Sequence, residues 1–150
     1  MTKGERNQKQ SGFEVKTFPV PFTLEEIQGN ITTSSSKPSQ EEIINQAVKC
    51  HLQGKIPEAA KLYQYLINQG FEDHRLFSNY GSILKNLGKL QEAEIYLRKA
   101  IEIKNDYPKA YSNLGVILKE LGKLKEAELY YRKAIELDPT YEEANHNLSL

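Results

Sequence analysis

Tryptophan is absent from this 150-residue chain, and cysteine and methionine occur once each. A lone Cys50 has no partner for an internal disulfide, so a reducing, cytoplasmic setting is expected. Charge of one sign is missing too, with 20 basic residues against 20 acidic ones and a pI near 6.8. That balance argues against a dedicated nucleic-acid surface, which would be visibly basic. No apolar run approaches the ~20 residues that cross a bilayer, and no basic-then-apolar signal peptide is recognisable at the start. His51, His74 and His146 fall outside any metal-ligand spacing. Adjacent helical residues such as Cys50 and His51 point about 100° apart and would not naturally share an ion. Phosphate loops, nucleophile elbows and paired-carboxylate constellations are also lacking, so neither a cofactor nor catalysis is expected.

Repetition is abundant. The stretch from Pro108 to Tyr141, PKAYSNLGVILKELGKLKEAELYYRKAIELDPTY, matches His74 to Tyr107 at 20 of 34 places. Gln40 to Asp73 matches more faintly, with Asn45, Gly54, Lys55, Glu58, Ala59, Tyr63 and Ile67 on Asn113, Gly122, Lys123, Glu126, Ala127, Tyr131 and Ile135. A fixed period of this length is the mark of a stacked repeat architecture.

Each unit reads as two helices. Between Ala110 and Leu121 the apolar residues Tyr111, Leu114, Val116, Ile117, Leu118 and Leu121 include the stripe of an amphipathic helix. Gly122 supplies the left-handed turn that a Cβ disfavours. A second helix from Leu124 to Leu137 carries Ala127, Tyr130, Tyr131, Ala134 and Leu137, and Asp138-Pro139 ends it. Ser39 with Glu42 forms a capping box for the first helix of the array, and Pro57 lies in the first turn of the next. Cys50 aligns with Leu84 and Leu118 and reads as core.

An aromatic, a Leu-Gly, then Ala, an aromatic, Ala and Pro are supplied by Tyr111, Leu114-Gly115, Ala127, Tyr131, Ala134 and Pro139. This pattern resembles the tetratricopeptide repeat (TPR). The middle repeat has Phe77, Tyr80-Gly81, Ala93, Leu97 and Ala100 but Asn105 in place of the proline, and the first is degenerate. The resemblance implies an all-α fold, an α-α superhelical solenoid of helix-turn-helix units behind a disordered N-terminal leader. Its repeats span 40–73, 74–107 and 108–141, with 142–150 a partial fourth repeat or capping helix.

The leader, residues 1–38, is polar and reads as mostly disordered. Within it, residues 13–28 combine an alternating run, Phe13 to Phe22, with a capping-box sequence, Thr23-Leu24-Glu25-Glu26-Ile27. That segment is either a weakly packed tail or a short peptide that docks into a repeat groove, in cis or on a second copy.

Asn45, Asn79, Asn113 and Asn147 recur at the 34-residue period in every first helix. Each lies two residues, or about 200°, from its core neighbours and is expected to face away from the packed seam. An Asn amide offers a donor and an acceptor, so such a ladder can bond an extended peptide backbone without reading side chains. The arrangement is similar to the asparagine ladder of the TPR superhelix in O-GlcNAc transferase. A plainer alternative has each Asn bonded to a neighbouring helix or to water. Arg75, Ser78, Ser82, Lys85 and Asn86 in the second repeat, with Lys109, Ser112, Lys119 and Glu120 in the third, are the expected flanking positions. They form a mildly basic, hydroxylated floor suited to an acidic or plain backbone ligand.

Another TPR subclass grips the C-terminal carboxylate of heat-shock chaperones with Lys and Asn in its first repeat. Ile44 and Val48 stand there instead, and Asn79 with Lys109 alone does not restore that clamp. Leu148 and Leu150 read as core residues awaiting a partner. The leader and Gly88 to Glu94 are similar to cyanobacterial TPR proteins whose arrays precede a sulfo-, methyl- or glycosyltransferase domain. The expected function is therefore a non-enzymatic scaffold binding a protein or peptide segment, or else a substrate-recruiting module of such a transferase.

Overall fold

The computed structural model describes residues 37–149, and within them the chain folds as seven helices with no strand. They are α1 (Gln40–Leu52), α2 (Ile56–Asn68), α3 (His74–Asn86), α4 (Leu90–Ile103), α5 (Pro108–Glu120), α6 (Leu124–Leu137) and α7 (Glu142–Ser149). The all-α superhelical fold read from the repeat pattern is the fold observed. Residues 1–36 of the leader, with its 13–28 segment, lie outside the described residues, as does Leu150.

Local chemistry sets the boundaries. Ser39 caps α1 through its hydroxyl, which accepts from the Glu42 N–H, while the Glu42 carboxylate accepts from the Ser39 N–H at 2.8 Å. Pro108 occupies the first turn of α5, where its missing N–H costs least. At the α5–α6 turn Gly122 adopts φ 78°, a left-handed conformation that costs an L-residue roughly 1–2 kcal/mol. The turn closes with the Gly122 N–H on the Lys119 carbonyl and the Lys123 N–H on the Leu118 carbonyl, at 3.0 and 2.8 Å.

Helices pair as α1–α2, α3–α4 and α5–α6, and the first helix of each pair also packs against the first helix of the next. One continuous core runs from Ile43 and Ile44 through Leu62, Tyr63, Leu84 and Leu97 to Leu118 and Tyr131. Cys50 lies within it, as its alignment with Leu84 and Leu118 predicts. Close approach is forced in the third pair, where a Cβ on Gly115 would stand 2.6 Å from the Tyr131 ring. α7 adds Ala144 against Tyr111 and Ala134, and Leu148 packs on the main core.

The second helices are joined across repeats by charge. The Arg98 guanidinium of α4 donates to Glu94 on its own helix, and to Glu126 and the Tyr130 hydroxyl of α6, each at 2.7 Å. Lys123 completes the cluster on Glu94 at 3.3 Å. The rows of first helices are joined differently, and that row forms the candidate site.

Candidate functional site

α1, α3 and α5 lie side by side, so residues repeating every 34 positions come to one surface. Asn79 and Asn113 reach it but are only 6% exposed, held between neighbouring first helices. Lys109 Nζ of α5 donates to Asn79 Oδ1 of α3 at 2.8 Å. Asn113 Nδ2 of α5 donates to Ser82 Oγ of α3 at 2.9 Å, and that hydroxyl donates in turn to the Ser78 carbonyl at 3.2 Å. Asn45 is exposed and Asn147 half-buried. The ladder is thus open at Asn45 and cross-braced in the middle, because the first helices approach closely enough for short polar side chains to bridge them.

The flanking residues divide into three groups. Ser78 and Ser112, expected on the groove floor, are fully buried, and neither hydroxyl makes a hydrogen bond among the described residues. The reason is positional. Both align with Ile44, which is itself fully buried, so this is a helix–helix contact where a small side chain fits. Arg75 is spent on an ion-pair network, with Nη2 donating to Glu41 of α1 at 3.0 Å and to Asp73 at 2.7 Å. Burial alone would raise the Asp73 carboxyl, but the bonds from the Arg75 side chain and N–H prevail and hold it below the usual carboxylate range. Lys85 is half-buried, while Asn86, Lys119 and Glu120 are exposed. Lys119 and Asn147 belong to a separate cleft of about 380 Å³ beside Leu124, Tyr131 and Leu148.

Lys109 is the most informative cation. Burial lowers its ammonium pKa, offset in part by the Glu143 carboxylate, and it forms no ion pair among the described residues. With Asn79 it lines a cavity of about 90 Å³ whose other walls are Val48, His51 and Leu52 of α1. The His51 ring is turned edge-on to Tyr63, and its pKa is lowered by burial and then by Lys109. Sequence reasoning named Val48 only as an apolar replacement in the carboxylate clamp and His51 only as a histidine outside any metal-ligand spacing, and it passed over Leu52. The signal was the period itself, since Val48, His51 and Leu52 precede Ser82, Lys85 and Asn86 by 34 residues.

The Tetratricopeptide repeat family matches residues 108–141, and a second TPR repeat family matches residues 81–122. The first TPR of Spaghetti (RPAP3), solved bound to the HSP90 peptide SRMEEVD, is 30% identical with a TM-score of 0.67. The match covers 73% of this chain and 87% of that one. The chain belongs to the tetratricopeptide repeat family. The same likeness holds for the first TPR domain of human RPAP3 solved by NMR, at 30% identity and a TM-score of 0.66, over 73% of this TPR chain and 87% of that domain. An Hsp70-Hsp90 organising protein of Plasmodium falciparum is 39% identical over 61 residues, 41% of this chain. The chain spans about a quarter (24%) of that relative's length. No helix of the described residues is long and apolar enough to cross a membrane, and no group of three or more His, Cys, Asp or Glu residues among them could hold a metal ion.

Proposed function

We propose that this TPR chain is a non-enzymatic protein–protein interaction scaffold that binds an extended peptide along the first helices α1, α3 and α5. The observation that supports this reading is the pair of side-chain hydrogen bonds Lys109–Asn79 and Asn113–Ser82, which puts polar groups between the first helices α3 and α5. Asn113 uses its nitrogen in that seam, which leaves its carboxamide oxygen to accept a peptide N–H. Asn45, exposed on α1, supplies a further amide at the open end. Neighbouring helices ~8–10 Å apart and about 3.3 Å per extended residue give one amide for roughly every third ligand residue. The RPAP3 domain bound to an HSP90 peptide supports the ligand class.

The clamp for a chain-terminal carboxylate is incomplete, because buried Ile44 and apolar Val48 replace its first-repeat polar pair. Partners are therefore internal peptide segments of another protein, of a second copy, or of the leader itself. A substrate-recruiting module of a transferase would use the same groove, and co-purification with a transferase distinguishes it from a free-standing scaffold.

The test is Asn79→Ala combined with Asn113→Ala, measured against wild type on an array of extended peptides. Each hydrogen bond lost costs roughly 0.5–1.5 kcal/mol, so binding should weaken about ten-fold or more. Unchanged binding by a folded double variant would make both asparagines structural braces.

A further inference from the structure

α6 is the last of the second helices among the described residues, and its open side carries charges that the groove does not use. Lys125, Glu128, Leu129, Arg132 and Glu136 are all exposed. At about 100° per residue they fall on one side of the helix. α4 shows what such a side does when a neighbouring helix covers it. Its Glu94 and Arg98 align with Glu128 and Arg132 in the repeat. Glu94 accepts from Lys123 of α6 and Arg98 donates to Glu126 of α6, and the two side chains are 16% and 38% exposed. Glu128 and Arg132 pair only with each other among the described residues, at 2.7 Å, and are 51% and 62% exposed. Leu129 is 66% exposed, where α4 has the half-buried Ile95.

We propose that this side of α6 is an interface with a second copy of this chain, the two α6 helices lying antiparallel across a twofold axis near Tyr130. The order of the charges carries the argument. Lys125, Glu128, Leu129, Arg132 and Glu136 run positive, negative, aliphatic, positive, negative. Read backward, the same series has the opposite sign at every charged place. An antiparallel copy therefore sets Lys125 beside the partner's Glu136, Glu128 beside the partner's Arg132, and Leu129 against the partner's Leu129. Each contact occurs twice, as a twofold interface requires. A parallel copy in register would bring like charges together instead. Glu136 accepts from Lys133 of its own helix through one oxygen, at 2.9 Å, and its other oxygen is available for Lys125. The series is confined to α6. α4 has Gln91 in place of Lys125, and α2 has Pro57, Ala60, Lys61, Gln64 and Asn68 at the five places. One helix pair buries less than the roughly 1,200 Å² of a stable complex, so the association is weak and concentration-dependent. The first helices take no part in it, and each copy keeps its groove.

The experiment is sedimentation equilibrium of the full chain from about 10 μM to about 1 mM, with circular dichroism to check that each variant is folded. The expected result for wild type is a monomer–dimer equilibrium that weakens in 1 M salt, where the screening length is about 3 Å. Glu128→Arg alone and Arg132→Glu alone each set like charges face to face twice per dimer. Each should weaken association about ten-fold or more, and the two reversals combined should restore it. A chain that stays monomeric throughout overturns the proposal and leaves the face to another protein or to solvent. A dimer that both single reversals leave unchanged, or a combined variant as weak as the single ones, overturns it by placing the contact elsewhere. Asn79→Ala with Asn113→Ala should leave dimerisation unchanged, and its loss there would overturn the proposal in favour of pairing through the groove.

Discussion

Lys109 Nζ and Asn79 Oδ1 meet at 2.8 Å and join the first helices of consecutive repeats. The bond braces the stack, and it also holds a half-buried cation at the mouth of a cavity. In the function proposed above, stability and recognition share these atoms.

Gly115→Ala should destabilise the third repeat. Its Cβ would stand 2.6 Å from Cε1 and 2.7 Å from Cδ1 of Tyr131, so that the almost fully buried ring or one of the two helices must shift. Overpacking of this kind costs about 1–3 kcal/mol. Thermal unfolding followed by circular dichroism should show a lower midpoint, and a midpoint equal to wild type would contradict the close approach of α5 and α6.

Arg98→Ala should loosen the contact between α4 and α6 in a salt-dependent way. The guanidinium bonds Glu94, Glu126 and Tyr130, so its removal leaves two carboxylates without that shared cation. Arg98 and Glu126 are more than a third exposed, which limits the effect to roughly 0.5–1 kcal/mol. In 1 M salt the screening length falls to about 3 Å, and the gap between variant and wild type should narrow. Arg132→Ala should change little, because its bonds run to exposed Glu128 on its own helix.

Stability should fall with acid in two stages. His51 and His74 both have pKa values lowered by burial from 6.5, so the unfolded chain takes protons first. Their contribution is present above pH 6.5 and is lost as pH falls through the lowered folded values. Asp73 and Glu94 follow. Burial opposes their ionised forms, but bonds from Arg75 and from Arg98 and Lys123 lower both pKa values in the folded chain. Their contribution is present above the ordinary carboxylate values of 3.8 and 4.5 and is lost below them. Denaturant midpoints between pH 8 and pH 3 check both stages, and a flat profile from pH 7 to pH 5 would exclude the histidines.

The fold was legible because repetition records it several times over. Leu124 to Leu137 could be delimited from Gly122 on one side and Asp138-Pro139 on the other, and α6 has those ends. Ser39 and Glu42 announced the capping box that opens α1. The site was less legible. Helical angles placed Asn79 and Asn113 off the seam between paired helices, but they do not report how near the neighbouring first helix lies, and that distance buries both. Ser78 and Ser112 were misplaced for a related reason, since polarity suggested a surface where alignment with Ile44 already marked an interior. Arg75 was assigned to the groove floor, yet its partners Asp73 and Glu41 lie two and 34 residues away, and the second of these is visible only once repeats are stacked.

The most direct measurement is backbone and side-chain NMR mapping of the chain titrated with SRMEEVD, free acid and amidated. The account predicts shifts concentrated on α1, α3 and α5, at Asn45, Leu52, Asn79, Lys109 and Asn113, with both forms of the peptide. Shifts centred on α2, α4 and α6, or on the cleft beside Leu124 and Leu148, would contradict it.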